Sequence, residues 1–264
     1  MTTAKLGTAL ITGASTGIGA VYADRLAKRG YDLILVARDQ VKLEKVASQI
    51  KAEYPVNVEV ISADLTLKTD LAKIEDRLRS DSSITLLLNN AGLGATSKLV
   101  DANLDELETM ITLNVTALTR LSGAVVPSFV KRGKGVVINI ASIVALAPEM
   151  LNGAYSGSKA YVVNFTQSMH HELADKGIKV QAVLPGAIDT PFWDKSGLPV
   201  HNLPSQIVMT PENLVDAALA GFDQGELITI PSLPDIAQWE SLDAARKVLT
   251  PNLSRTIPAS RYLN

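Results

Sequence analysis

A chain of 264 residues with 47% hydrophobic side chains is long for an average domain but ordinary for one large α/β unit with a substantial core. Its 25 basic and 27 acidic residues leave a net charge of −2, so no basic face of the kind that nucleic-acid binding needs is implied. With no cysteine at all, disulfides, thiolate catalysis and thiolate metal sites are excluded together.

From the N-terminus, residues 1–5 lead into a short apolar strand over 6–11 rather than into the apolar core of a signal peptide, so a soluble, cytoplasmic protein is expected. The strand runs into Thr12-Gly13-Ala14-Ser15-Thr16-Gly17-Ile18-Gly19, and an amphipathic helix over 20–29 follows, closed by Gly30. Strand, glycine turn and helix N-terminus together set backbone N–H groups against a pyrophosphate. The alternative is a tight turn that merely needs glycine; Ser15 and Thr16 between the glycines favour phosphate. The spacing of Gly13, Gly17 and Gly19 is not the common dinucleotide fingerprint. The loop does not end in a Lys followed by Ser or Thr, which argues against a Walker-type ATP site.

Further strands are predicted over 32–37, 57–62, 84–89, 135–141, 179–184 and 226–230, with helices over 41–53, 68–79, 104–131, 155–176 and 211–222. Thr210-Pro211 is a helix start, threonine as cap and proline in the first turn. The apolar run 135–147 is too short to span a membrane and is well explained as a strand. This alternation predicts an α/β fold, a doubly wound parallel sheet in three layers with helices on both faces. Without a repeat, a low-complexity tract or a linker, a single domain over 1–264 is expected.

Within the 155–176 helix, Tyr155-Ser156-Gly157-Ser158-Lys159 puts a phenol and an ammonium one turn apart on one face. A free tyrosine ionises near pH ~10 and is a poor proton donor at neutrality; a neighbouring lysine favours the phenolate and lowers that value. A shift of roughly three units is worth about 4 kcal/mol between the two protonation states. His170 and His171 lie three and four turns further along and are read as surface or interface residues. Nothing pairs with them at ligand spacing, so no metal is expected.

The glycine loop, Asn89-Asn90-Ala91-Gly92, Asn114, Ser142 thirteen residues before Tyr155, and Pro185-Gly186 follow one another in an order that resembles the short-chain dehydrogenase/reductase family. The resemblance covers about residues 5 to 195 and is weaker beyond. It implies a Rossmann-type domain with a substrate lid around 190–210 and a variable C-terminal tail, and a catalytic tetrad of Asn114, Ser142, Tyr155 and Lys159. Cofactor contacts are implied for Gly13, Ser15, Thr16, Gly17, Ile18, Gly19, Arg38, Asp64, Leu65, Asn90, Ala91, Gly92, Tyr155, Lys159, Pro185, Gly186, Ile188 and Thr190.

In the implied reaction a carbonyl and an alcohol are interconverted by hydride transfer. Ser142 holds the substrate oxygen, Tyr155 gives or takes the proton, and Lys159 lowers the tyrosine's pKa and binds the nicotinamide ribose. Asn114 is expected to bend its helix and hold a water that relays protons from Lys159, and Ile188 and Thr190 to meet the carboxamide.

NADP(H) is preferred over NAD(H). Ala37 stands where an NAD-preferring member carries an acid, and the next residue, Arg38, offers a guanidinium to a 2′-phosphate. Against this, Asp39 is nearby and could bind a ribose hydroxyl if the loop bends, and the basic residue the family places in the glycine loop is missing. Asp64 either reaches the adenine amino group or caps a turn.

Phe192, Trp193, Leu198, Val200, Leu203, Ile207 and Met209 either line an apolar pocket or pack the lid onto the body. The expected partner is a small-molecule substrate, a hydrophobic ketone or aldehyde, with 3-oxoacyl thioesters close behind. A homodimer or homotetramer is implied, with no nucleic acid and no membrane as partners. The tail over 249–264, with Arg255 and Arg261 among apolar residues, either docks on a neighbouring subunit or covers the pocket. Two rival classes stand beside this reading. One is a nucleotide sensor or scaffold without turnover, which has no need of all four tetrad residues. The other is a sugar-nucleotide epimerase or dehydratase, which usually has other glycine spacing and a longer C-terminal region.

Overall fold

The computed structural model describes residues 6–196 and 198–263. In chain order it holds β1 (Thr8–Thr12), α1 (Gly17–Lys28), β2 (Asp32–Ala37), α2 (Gln40–Glu53), β3 (Val58–Ser62), α3 (Lys68–Ser80) and β4 (Ile84–Asn89). A long helix follows as α4 (Leu104–Ile111), a π-helical turn (Thr112–Ala117) and α5 (Leu118–Arg132). Then come β5 (Gly135–Ile140), α6 (Gly153–Leu173), β6 (Ile178–Val183), β7 (Ala187–Ile188), α7 (Phe192–Lys195) and β8 (Val208–Met209). The last elements are α8 (Pro211–Gln224), β9 (Ile228–Thr229) and α9 (Ile236–Val248). The chain divides into two compact units, Met1–Pro231 and Ser232–Asn264.

In the first unit seven strands form one parallel sheet in the order β3-β2-β1-β4-β5-β6-β9, while β7 and β8 pair separately. The strands are apolar almost throughout because both faces are covered. Ala9, Ile11, Leu33, Leu35, Leu86 and Leu88 face one core with Tyr22 and Leu26 of α1, Leu43 of α2 and Leu214 of α8. Their neighbours Leu10, Ile34, Val36 and Leu87 face the opposite core with Leu71 and Ile74 of α3, Leu121 and Phe129 of α5, and Met169 of α6. This is the three-layered, doubly wound sheet that the alternation predicts. Strand order reverses between β1 and β4, and the crevice beyond their carboxyl ends is where such sheets bind ligands.

Element edges differ from expectation by a few residues, with physical causes. α1 starts at Gly17, whose φ of +55° lets the chain turn into the helix, and α6 starts at Gly153, capped by the Asn152 side chain. β9 is two residues long rather than five because its only pairing is Ile228 and Thr229 against Ala182 and Val183 at the sheet edge. The continuous helix Leu104–Arg132 is, among the described residues, long and apolar enough to cross a membrane by length and composition. Several of its apolar residues pack in the core, among them Ala117, Leu121, Val125 and Phe129. The second unit holds α9, none of whose residues is buried, and which the sequence reading leaves unassigned.

Candidate active site

At the end of β1 the chain turns through Gly13, with φ +66°, and enters α1 through Gly17. A Cβ on Gly13 would lie 2.7 Å from Asn90 Nδ2, one on Gly19 2.3 Å from the Gly13 carbonyl, and one on Gly17 2.9 Å from Thr190 Cγ2. Asn90 causes this tightness: its amide donates to the carbonyls of Thr12 (2.9 Å) and Gly13 (3.1 Å). Thr12 Oγ1 in turn accepts from the N–H groups of Asn90 and Ala91, both at 3.0 Å. The first turn of α1 carries no acid, and the side chain of Thr16 does not cap it. Its leading N–H groups are therefore left to an anion. Ser15 is half-buried and Thr16 exposed beside this turn, while Ile18 packs onto the core. A cradle that a Cβ would fill, at an uncapped helix N-terminus, fits a dinucleotide pyrophosphate.

β5 delivers the second cluster. Ser142 follows its carboxyl end, buried, with Oγ donating to the Pro185 carbonyl at 3.4 Å. Tyr155 and Lys159 rise from the first turns of α6, and both are buried. Burial pushes the Tyr155 phenol up to about 12, against a hydrogen bond with Ser142 that pulls it down. Burial also lowers the Lys159 ammonium to about 8. Lys159 Nζ donates to the Ile140 carbonyl at 3.0 Å and stands 5.9 Å from the centre of the Tyr155 ring. This corrects one expectation: in this structure the lysine does not draw the phenol below its ordinary value. Its ammonium is turned to Ile140, and desolvation dominates the titration of both groups.

Asn114 lies within the π-helical turn, where an extra residue per turn bends a helix. Its Oδ1 accepts from Leu93 N–H at 2.9 Å, and its Nδ2 donates to Leu93 O at 2.9 Å and to Ser158 Oγ at 3.1 Å. Gly92 sits between the polar groups: a Cβ there would come 3.2 Å from Asn114 Oδ1 and 3.6 Å from Lys159 Nζ. All four tetrad residues therefore meet near the carboxyl ends of β4 and β5.

At the far end of the crevice Arg38 is more than half exposed and approaches Asp64 Oδ2 at 3.8 Å. Asp39 caps α2, accepting from Lys42 N–H at 3.0 Å, and pairs with the Lys42 ammonium at 3.0 Å. Asp64 Oδ1 accepts from Thr66 N–H (3.0 Å) and Thr66 Oγ1 (2.7 Å), so the turn-capping alternative holds for that oxygen. Leu65 is packed in the core. At the other end, Gly186 follows Pro185 beneath Ile143, and Thr190 lies over Gly17. The Ile188 carbonyl is taken by the Trp193 indole at 2.8 Å.

Apolar side chains wall the phenol: Leu107, Met110 and Val144 cluster with Tyr155, and Leu93, Ala95, Leu151 and Phe192 pack against them. Of the apolar residues expected in the lid, Phe192 faces Tyr155, with ring centres 6.1 Å apart. Trp193 is instead buried on the body, Met209 packs on the core and Ile207 is exposed. Val144, Leu151 and Asn152 also stand around Tyr155. The apolar run after Ser142 signals the first, and an asparagine before a helix signals the last.

A family model described as short chain dehydrogenase matches residues 7–199. The fold is similar to a short-chain dehydrogenase from Sphingobium yanoikuyae in complex with NADPH, at TM-score 0.94 and 48% identity, covering 96% of this chain and 98% of the other. It is also similar to a bulky-bulky ketone specific alcohol dehydrogenase from Comamonas testosteroni, at TM-score 0.91 and 46% identity over 99% of this chain and 100% of the other. In sequence the chain is 37% identical over 218 residues to a very-long-chain 3-oxoacyl-CoA reductase from Anas platyrhynchos, covering 80% of this chain and 67% of the relative.

Proposed function

The chain belongs to the short-chain dehydrogenase family, and on that premise we propose that it interconverts an apolar ketone and its alcohol with NADP(H), Tyr155 acting as general acid and base. The observation that carries the proposal is the convergence of buried Ser142, Tyr155 and Lys159, the ammonium 5.9 Å from the centre of the phenol ring, within an apolar wall. When bound, the nicotinamide supplies or takes the hydride. Ser142 Oγ and the Tyr155 hydroxyl hold the substrate oxygen, and as charge develops there the phenol gives up its proton. A phenol held near 12 keeps its proton at neutrality until charge develops on the substrate oxygen. Lys159, with its value near 8, returns the proton, and Asn114 steadies the relay beside Gly92.

Gly13, Gly17, Gly19, Asn90 and the start of α1 would hold the pyrophosphate. NADP is supported by Arg38 following Ala37, by the engagement of Asp39 as a helix cap, and by the NADPH complex of the similar Sphingobium yanoikuyae protein. An apolar substrate is supported by the wall of Val144, Leu151 and Phe192, and by the ketone specificity of the similar Comamonas testosteroni enzyme. Assembly as a homodimer or homotetramer is part of the reading, supported by the part-exposed stack of Tyr161 on Phe165 along α6. Tyr155→Phe tests the chemistry: turnover should fall by at least ~10²-fold while NADPH affinity stays within about twofold. A variant that keeps substantial turnover would refute the proton-transfer role.

A further inference from the structure

The loop that joins β4 to α4 touches three parts of the site. Leu93 is locked to Asn114 through both of its backbone groups. Gly94 lies against α7 so closely that a Cβ would come 2.4 Å from Ser196 Oγ and 2.5 Å from Phe192 Cζ. Thr96 Oγ1 donates to the Ser196 carbonyl, and Ser196 closes α7 through its own N–H and Oγ to Phe192 O, at 3.1 and 2.8 Å. The next residue, Ser97, offers its carbonyl to Asn152 Nδ2 at 2.6 Å.

Asn152 is buried and uses both ends of its amide. Oδ1 caps α6, accepting from Ala154 N–H at 2.8 Å and Tyr155 N–H at 3.4 Å, while Nδ2 grips the loop. Capping alone does not call for an amide, since serine and aspartate serve equally well at an N-cap. Asparagine carries acceptor and donor on separate atoms, so Oδ1 caps the helix while Nδ2 reaches another segment; a serine would have to do both from one shorter oxygen. One residue thus ties the turn that carries Tyr155 to the loop that carries α7, and α7 puts Phe192 beside the Tyr155 ring.

We propose that Asn152 is a positioning residue that couples the docking of α7 to the seating of Tyr155, acting through Ser97 and Thr96. The coupling rests on Tyr155 being the proton donor only for its kinetic consequence; the mechanical link stands without it. Asn152→Ser keeps the cap and removes the grip on Ser97. Thr96→Val cuts the other end of the link, and Asn152→Ala removes cap and grip together.

Hydrogen exchange of the protein without cofactor reads the link directly. Asn152→Ser should leave exchange over 153–160 unchanged and speed it over 192–196 by roughly fivefold to tenfold, the equilibrium weight of one hydrogen bond. Thr96→Val should do the same, and the double variant should add little to the larger single effect. Asn152→Ala should loosen both segments. With an apolar ketone, kcat and KM of Asn152→Ser should change together, as for residues that govern closure. Wild-type exchange over 192–196 in Asn152→Ser, or a loosening confined to 153–160 in Asn152→Ala, would overturn the coupling. Because exchange needs no turnover, absence of ketone reduction would count against the proposed function and leave this test standing.

Discussion

Replacing Lys159 with methionine isolates the charge on which the proton relay depends. The ammonium is buried with one carbonyl partner, Ile140 O, and its pKa is depressed from 10.5 to about 8 by desolvation. Between those two values the unfolded chain holds a proton that the folded chain has released. Unfolding therefore takes up a proton in that window, and wild-type stability rises with pH across it. Below about pH 8 the whole penalty is present, about 3 kcal/mol at ~1.36 kcal/mol per unit. Integrated from about pH 7 to about pH 9.5, the wild type should gain about 2 kcal/mol relative to Lys159→Met, other titrations cancelling in the comparison. Urea denaturation of both proteins, without cofactor, at the two pH values measures this difference. A difference that does not move with pH, or that moves the other way, would show that Lys159 is not held near 8 and is no ready proton source at neutrality.

Two further substitutions test separate parts of the site. Arg38→Ala should lower the ratio of kcat/KM with NADPH to that with NADH by roughly 10- to 100-fold, the weight of a charge-assisted pair; an unchanged ratio would remove Arg38 from cofactor choice. Asn114→Ala leaves both backbone groups of Leu93 unpaired, so denaturation should show a loss of about 1–3 kcal/mol. Turnover should fall with it, and an Asn114→Ala protein as stable and active as wild type would contradict the role given to the π-helical turn.

The fold was legible because each strand is an apolar run bounded by polar turns, and helical periods separate the runs. The glycine loop was legible too, since Gly13, Gly17 and Gly19 are demanded by backbone that passes within a Cβ's reach. The π-helical turn was not, because its extra residue is a matter of backbone hydrogen bonding and 104–131 keeps a helical period throughout. Nor was the raised phenol of Tyr155. Spacing reveals Lys159 one turn away, but desolvation comes from Leu107, Met110 and Val144, distant in sequence. The lid shows the same limit. An irregular segment has no period from which to read its inner face, so Phe192, beside Tyr155, could not be told from Ile207, which points out. Asn152 went unread because Asn152-Gly153 serves equally as a turn and as a helix start.

The most direct test is cofactor consumption by the purified protein against ketones graded in bulk, aldehydes and 3-oxoacyl thioesters, with NADPH and NADH in parallel and Tyr155→Phe as control. Oxidation of NADPH in preference to NADH, fastest with apolar ketones and lost in Tyr155→Phe, is the predicted result. Binding of both cofactors with no consumption on any carbonyl would contradict the account and leave a nucleotide-binding protein without turnover.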